Sequence, residues 1–127
     1  ENKSSKSPLL VGVTLLTSIG ADDGKEIGIK NNKDHTILLA KLAKDNGMDG
    51  VVCSPHEVKE IKNLLGEDFI TVTPGIRSSD LIEDQKRFSS AKEALSRGSD
   101  FIVVGRPITS SPNPVESVKS LLQEIKS

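Results

Sequence analysis

Two arginines stand shortly after a glycine where short apolar runs end. Val72-Thr73-Pro74-Gly75-Ile76-Arg77 closes one run, and Phe101-Ile102-Val103-Val104-Gly105-Arg106 closes another. A glycine lets the backbone N–H approach an anion closely, and a guanidinium fork bonds its oxygens in pairs. Set at the ends of two parallel strands, such pairs are the chemistry of holding a phosphate. Other run ends are polar too, in Leu15-Leu16-Thr17-Ser18 and Cys53-Ser54-Pro55. The remaining reactive side chains form no constellation. Cys53 is expected to be a small buried side chain, and no histidine completes a triad with it. His35 and His56 fall near helix starts and are expected to be solvated. No metal-ligand cluster is present. Asp22-Asp23 and the lysines 25, 30 and 33 are expected in a mobile solvated loop.

The elements that must position these residues alternate between strand and helix. Leu9 to Leu16 is a continuous apolar run with β-branched members, the pattern of a buried strand. Thr17 to Asn32 is polar and glycine-rich and predicts a long loop. Lys33 to Asn46 has Ile37, Leu38, Ala40 and Leu42 at helical spacing, with Gly47 placed to stop it. Gly50 to Cys53 predicts a second strand. Ser54-Pro55 opens a helix as cap and first residue, with Val58, Ile61, Leu64 and Leu65 on one face and Gly66 at its end. Phe69 to Thr73 predicts a third strand, Ser90 to Arg97 a helix stopped by Gly98, and Phe101 to Val104 a fourth strand. After a proline-punctuated loop, Val115, Val118, Leu121, Leu122 and Ile125 share one side of a last helix.

Four βα units in series imply an α/β protein with a parallel sheet and right-handed crossovers. Two architectures fit: a small doubly wound sheet, or half of a (β/α)8 TIM barrel whose inner sheet face stays bare until the other half covers it. In either, ligands bind at the C-terminal ends of the strands. The polar, Lys/Ser-rich start, residues 1–7, is expected to be the remnant of an internal surface loop, which favours the half barrel.

Composition narrows the function classes. The 127 residues carry 17 Lys+Arg against 18 Asp+Glu, three Phe and no Trp or Tyr. A net charge of −1 without aromatic platforms predicts neither nucleic acid nor membrane as a partner. One cysteine excludes an intramolecular disulfide and points to a cytoplasmic setting. No run approaches the roughly 20 apolar residues of a membrane span.

An ordered set of segments resembles the C-terminal half of orotidine 5′-phosphate decarboxylase. They are Gly12-Val13-Thr14-Leu15-Leu16-Thr17-Ser18, Met48-Asp49-Gly50-Val51-Val52-Cys53-Ser54, Val72-Thr73-Pro74-Gly75-Ile76-Arg77, Asp84-Gln85-Lys86-Arg87 and Val104-Gly105-Arg106-Pro107-Ile108-Thr109. The resemblance implies that residues 1–127 supply roughly strands 5–8 of one (β/α)8 barrel. It implies a lyase of de novo pyrimidine synthesis that converts orotidine 5′-phosphate to UMP and carbon dioxide without cofactor or metal. Its partners would be the N-terminal half of the same barrel and a second complete barrel in a homodimer. Arg77, Gln85 and Arg106 would bind the substrate phosphate through side chains and Gly105 through its backbone N–H. Thr17 would contact the pyrimidine and ribose region, with Ser18 beside it. The family's catalytic Asp-x-Lys-x-x-Asp is absent, since neither Asp45–Asp49 nor Asp80–Asp84 encloses a lysine. No catalytic residue is therefore expected in this chain. Alternatives are another phosphate-binding barrel enzyme of the same superfamily, such as a sugar-phosphate decarboxylase or aldolase, and a non-catalytic phosphate- or nucleotide-binding module.

Overall fold

A computed structural model of the chain describes residues 7–77 and 89–127. Its strands are short and β-branched: β1 Val11–Val13, β2 Gly50–Val52, β3 Ile70–Thr73 and β4 Phe101–Ile102. All neighbours are parallel, and the order across the sheet is β1-β2-β3-β4. This order separates the two expected architectures. A doubly wound sheet reverses its strand order at a switch point, whereas a barrel adds each strand beside the last. Four parallel strands in chain order, flanked by helices, are what roughly half of an eight-stranded barrel looks like.

The main helices are α2 (Asn32–Asp45), α3 (Pro55–Leu65) and α4 (Ala91–Ser96), between strands, and α6 (Pro114–Lys126), after β4. Each begins where a side chain receives an otherwise orphaned backbone N–H. Asn31 accepts from Asp34, Ser54 from His56, Ser90 from Glu93, and Asn113 from Glu116. Gly47, Gly66 and Gly98 follow helix ends with φ of 81°, 101° and 95°, a region glycine enters without a Cβ clash.

Two helices fall where the sequence predicts loops. α1 (Ala21–Glu26) lies inside the expected Thr17–Asn32 loop. Asp23 accepts the Gly20 N–H at 2.9 Å, and Asn32 Nδ2 donates to the Ile19 and Gly20 carbonyls at 3.1 and 2.9 Å. Capping chemistry and one asparagine staple organise a segment that has no apolar periodicity. α5 (Arg106–Thr109) is a single turn after β4. The first strand is also shorter than its apolar run: Leu9, Leu10 and Leu16 are exposed.

One face of the sheet is covered by helices. Val51, Thr71 and Thr73 are fully buried there. Val51, Cys53 and Phe69 pack with Ala40, Val58 and Ile61 in one cluster, and Ile76 packs with Ala91 and Ala94 in another that Ile102, Val104, Leu121 and Ile125 extend. Cys53 is thus a core side chain. The threonines are tolerated because their hydroxyls are bonded: Thr71 Oγ1 to Asp100 at 3.1 Å, Thr73 Oγ1 to Ser99 Oγ at 2.7 Å. Asp100 Oδ2 also takes the Thr71 N–H and the buried Lys62 ammonium, both at 2.7 Å, which ties α3 to β3 and the start of β4. Burial alone would raise the Asp100 carboxyl, but the Lys62 and Thr71 hydrogen bonds hold it below its ordinary value. At the other side of the sheet, Asp49 accepts the Leu10 N–H at 2.7 Å. The expected stripe of α6 divides, with Leu121 and Ile125 packed inward and Val115, Val118 and Leu122 exposed.

Candidate functional site

The ends of β3 and β4 bring the two arginines together. After β3, Pro74 leads to Gly75 at φ 77°, and the chain turns so that Ile76 drives into the core. Ile76 forms an isolated parallel bridge with Ser89. Arg77 N–H donates to the Ser89 carbonyl at 3.0 Å, and Ser89 N–H donates to the Gly75 carbonyl at 3.2 Å. The backbone that carries Arg77 is therefore clamped on both sides of a buried isoleucine. After β4, Val104 joins the same core while Gly105 and Arg106 turn outward to start α5. Nothing lies within 4 Å of where a Gly105 Cβ would stand, so its backbone is open to an approaching group.

Because β3 and β4 are parallel neighbours, these two ends lie side by side. Burial lowers the Arg77 pKa, and the positive charge of Arg106 lowers it further. Two guanidiniums thus lie within reach of each other's field, one of them partly desolvated, an arrangement that favours a nearby anion. Arg77 Nη1 donates to the Ile76 carbonyl at 2.9 Å, which aims the group along its own turn. Arg106 is exposed and, among the described residues, pairs with no carboxylate. The arrangement can receive a doubly charged oxyanion with two forks and an open backbone turn.

A second layer supports Arg77 and was not anticipated from the residues alone. Ser89 Oγ donates to Glu93 Oε2 at 2.6 Å, and Arg97 Nη2 donates to Glu93 Oε1 at 2.6 Å. The Ser89 hydrogen bond leads in holding the Glu93 carboxyl below its ordinary value, with burial opposing and Arg97 assisting. The signal was available in sequence as Ser89-x-x-x-Glu93-x-x-x-Arg97, a ladder of i, i+4 neighbours.

The other expected site residues fall differently. Thr17 is half-buried in the turn after β1, where Ile19 N–H bonds the Leu16 carbonyl at 3.1 Å. It belongs to the opposite edge strand from Arg106, and among the described residues no hydrogen bond joins it to either arginine. Ser18 is exposed beside it. Gln85, with Asp84, lies outside the described residues. Within the described residues no group of three or more His, Cys, Asp or Glu could hold a metal ion, and no helix is long and apolar enough to cross a membrane.

Known proteins share this architecture. A model of the orotidine 5′-phosphate decarboxylase / HUMPS family matches residues 1–121. The chain is 49% identical over 117 residues to orotidine 5′-phosphate decarboxylase of Wolbachia pipientis, which covers 91% of this chain and 52% of that protein. It is 49% identical over 120 residues to the enzyme of Legionella pneumophila, covering 93% and 52%. A crystal structure of orotidine 5′-phosphate decarboxylase from Lactobacillus acidophilus matches with a TM-score of 0.73 at 39% identity, over 94% of this chain and 50% of that one. The chain spans about half the length of the curated relatives it matches.

Proposed function

The chain belongs to the orotidine 5′-phosphate decarboxylase / HUMPS family, and from that membership we propose that it is the C-terminal, phosphate-gripping half of an orotidine 5′-phosphate decarboxylase. Residues 1–127 supply strands 5–8 of one (β/α)8 domain, and the N-terminal half of the barrel supplies the rest. The observation that carries this reading is the convergence of Arg77 and Arg106 at neighbouring strand ends. Phosphate sites of such barrels use the loops after the last two strands. The complete assembly converts orotidine 5′-phosphate to UMP and carbon dioxide in the cytoplasm, as a homodimer of barrels without metal or cofactor.

In that reaction the bond between the pyrimidine ring and its carboxylate breaks. Carbon dioxide leaves, and the electron pair stays on the ring carbon until a proton replaces it. The chain has no Asp-x-Lys-x-x-Asp to supply that proton. Asp23-Gly24-Lys25 comes nearest, but Gly28 stands where the second aspartate is needed, and Lys25 pairs with Asp22 in solvent at 3.2 Å. The role left to this half is remote binding. Arg77, Gln85, Arg106 and the Gly105 N–H hold the substrate phosphate, and Thr17 contacts the nucleoside end. Binding energy from a non-reacting group lowers the barrier when it holds the reacting centre in its transition-state geometry.

Eight curated relatives at 46–49% identity bear the decarboxylase name, which supports this reading over a sugar-phosphate lyase of the same family. The test is co-expression with the N-terminal half of the Legionella pneumophila enzyme, followed by a decarboxylation assay. Turnover of orotidine 5′-phosphate is expected. A stable one-to-one complex that binds UMP yet releases no carbon dioxide would overturn the assignment.

A further inference from the structure

Arg77 stands on a short support. Its guanidinium donates to the Ile76 carbonyl of its own turn, so its place follows the backbone at Ile76 and Arg77. That backbone is held by Ser89 through an isolated bridge, with Arg77 N–H on the Ser89 carbonyl and Ser89 N–H on the Gly75 carbonyl. Burial and the charge of Arg106 both act against the guanidinium where it stands. A bridge of two hydrogen bonds under that load calls for a brace. Ser90 caps α4 by accepting the Glu93 N–H at 3.1 Å, which puts Glu93 at the third helical position. In a capping box the carboxylate at that position returns to the backbone N–H of the cap. Here its Oε2 takes the hydroxyl of Ser89, one residue further back, at 2.6 Å. Ser89 is fully buried, where a hydroxyl needs a partner. Arg97, from the next turn, holds Oε1 at 2.6 Å.

We propose that Glu93 is a positioning residue for the anion site: its carboxylate fixes Ser89 and, through the Ser89 backbone, the place of Arg77. The proposal rests on the reading of Arg77 as a phosphate ligand. Glu93 already has Arg97 as its ionic partner, and His56 adds a weaker positive field, so its route to Arg77 is the Ser89 backbone and not charge. With Oε2 on Ser89 and Oε1 under Arg97, the carboxylate is held at both oxygens. A guanidinium grips phosphate oxygens in pairs only when its plane and distance are right. A misplacement of about 1 Å, caused by a change far from the reacting atoms, can cost on the order of 100-fold in rate. α4 packs against α3 on one side and α6 on the other, so the brace stands between elements of this chain.

The test is a double-mutant cycle on the chain assembled with the Legionella pneumophila N-terminal half, read by isothermal titration with UMP and with uridine. Glu93→Ala is expected to raise the Kd for UMP about tenfold and to leave that for uridine within about twofold. Ser89→Ala removes only the hydroxyl and keeps the backbone bridge; it serves as the second variant if Glu93→Ala folds poorly, and UMP binding should weaken in the same way. Glu93→Gln keeps an oxygen for the Ser89 hydroxyl and should recover most of the loss. In an Arg77→Ala background, Glu93→Ala should change UMP binding by no more than about twofold, because the group it positions is gone. The proposal is overturned, with the phosphate reading intact, by any of three results for Glu93→Ala: a lower melting temperature with unchanged UMP binding, equal weakening of UMP and uridine, or a full further loss on top of Arg77→Ala. Unchanged UMP binding in Arg77→Ala would overturn both the proposal and the phosphate reading.

Discussion

Replacing Arg106 by alanine should change ligand binding and stability in opposite directions. In the anion-free chain the Arg77 guanidinium is penalised by burial and then by the charge of Arg106. Removing Arg106 relieves that repulsion, so the anion-free chain should unfold at the same or a slightly higher temperature, with the gain shrinking as salt is raised. Phosphate binding should weaken. Hydrogen bonds to charged groups contribute roughly 1.5–3 kcal/mol, and a loss of about 2 kcal/mol corresponds to a roughly 30-fold rise in Kd. At a phosphate concentration about 100 times the wild-type Kd, ligand stabilisation is about 2.7 kcal/mol; after a 30-fold weakening it falls to about 0.9 kcal/mol. Thermal unfolding with and without phosphate, at one protein concentration, reads both effects. A variant that melts well below wild type without phosphate, yet keeps the full phosphate-induced shift, would show Arg106 to be structural and refute the reasoning.

Three other predictions concern the frame around the site. Asp100→Ala should cost about 2 kcal/mol, below the usual cost of breaking a buried pair because the Asp100 side chain is 35% exposed, and Lys62→Met should cost about 1 kcal/mol or less. Urea midpoints reversing that order would contradict the clamp. Glu93 and Asp100 both have depressed pKa values in the folded chain, so their stabilisation is complete above the unfolded carboxylate range near pH 4 and is lost as pH falls through the depressed values. A urea midpoint that falls below about pH 4, and falls less steeply in Glu93→Gln, is the expected profile. Gly50→Ala should destabilise by roughly 1–3 kcal/mol, because its Cβ would collide with the Ile70 carbonyl and stand 2.6 Å from the Ile70 Cβ; near-neutral behaviour in the same unfolding assay would contradict the β2–β3 approach.

The sequence made the sheet legible through its apolar runs and the main helices through their caps. Ser54-Pro55 and Ser90 mark their starts, and Gly47, Gly66 and Gly98 their stops. What it hid had no periodicity to display. α1 is organised by Asp23 and Asn32 hydrogen bonds, and α5 is one turn on a Gly-Arg-Pro corner. The choice between doubly wound and barrel-like sheets is a matter of strand order, which no local window contains. At the site, the two Gly–Arg ends were visible as motifs, and the field of Arg106 at Arg77 joins them. The buttress of Ser89, Glu93 and Arg97 is not legible position by position, because each residue alone is an ordinary helix-start or surface side chain. The split of the α6 stripe followed from the same limit: spacing shows which residues share a side, but not where the neighbouring helix ends.

The most direct test of the central claim is the rate of carbon dioxide release from orotidine 5′-phosphate by this chain assembled with the Legionella pneumophila N-terminal half, compared with the same assembly carrying Arg77→Ala and Arg106→Ala. The account predicts turnover in the first and a loss of kcat/KM of at least about 100-fold in the second, with the complex intact by light scattering. Turnover in the double variant within twofold of the unmodified assembly would contradict it.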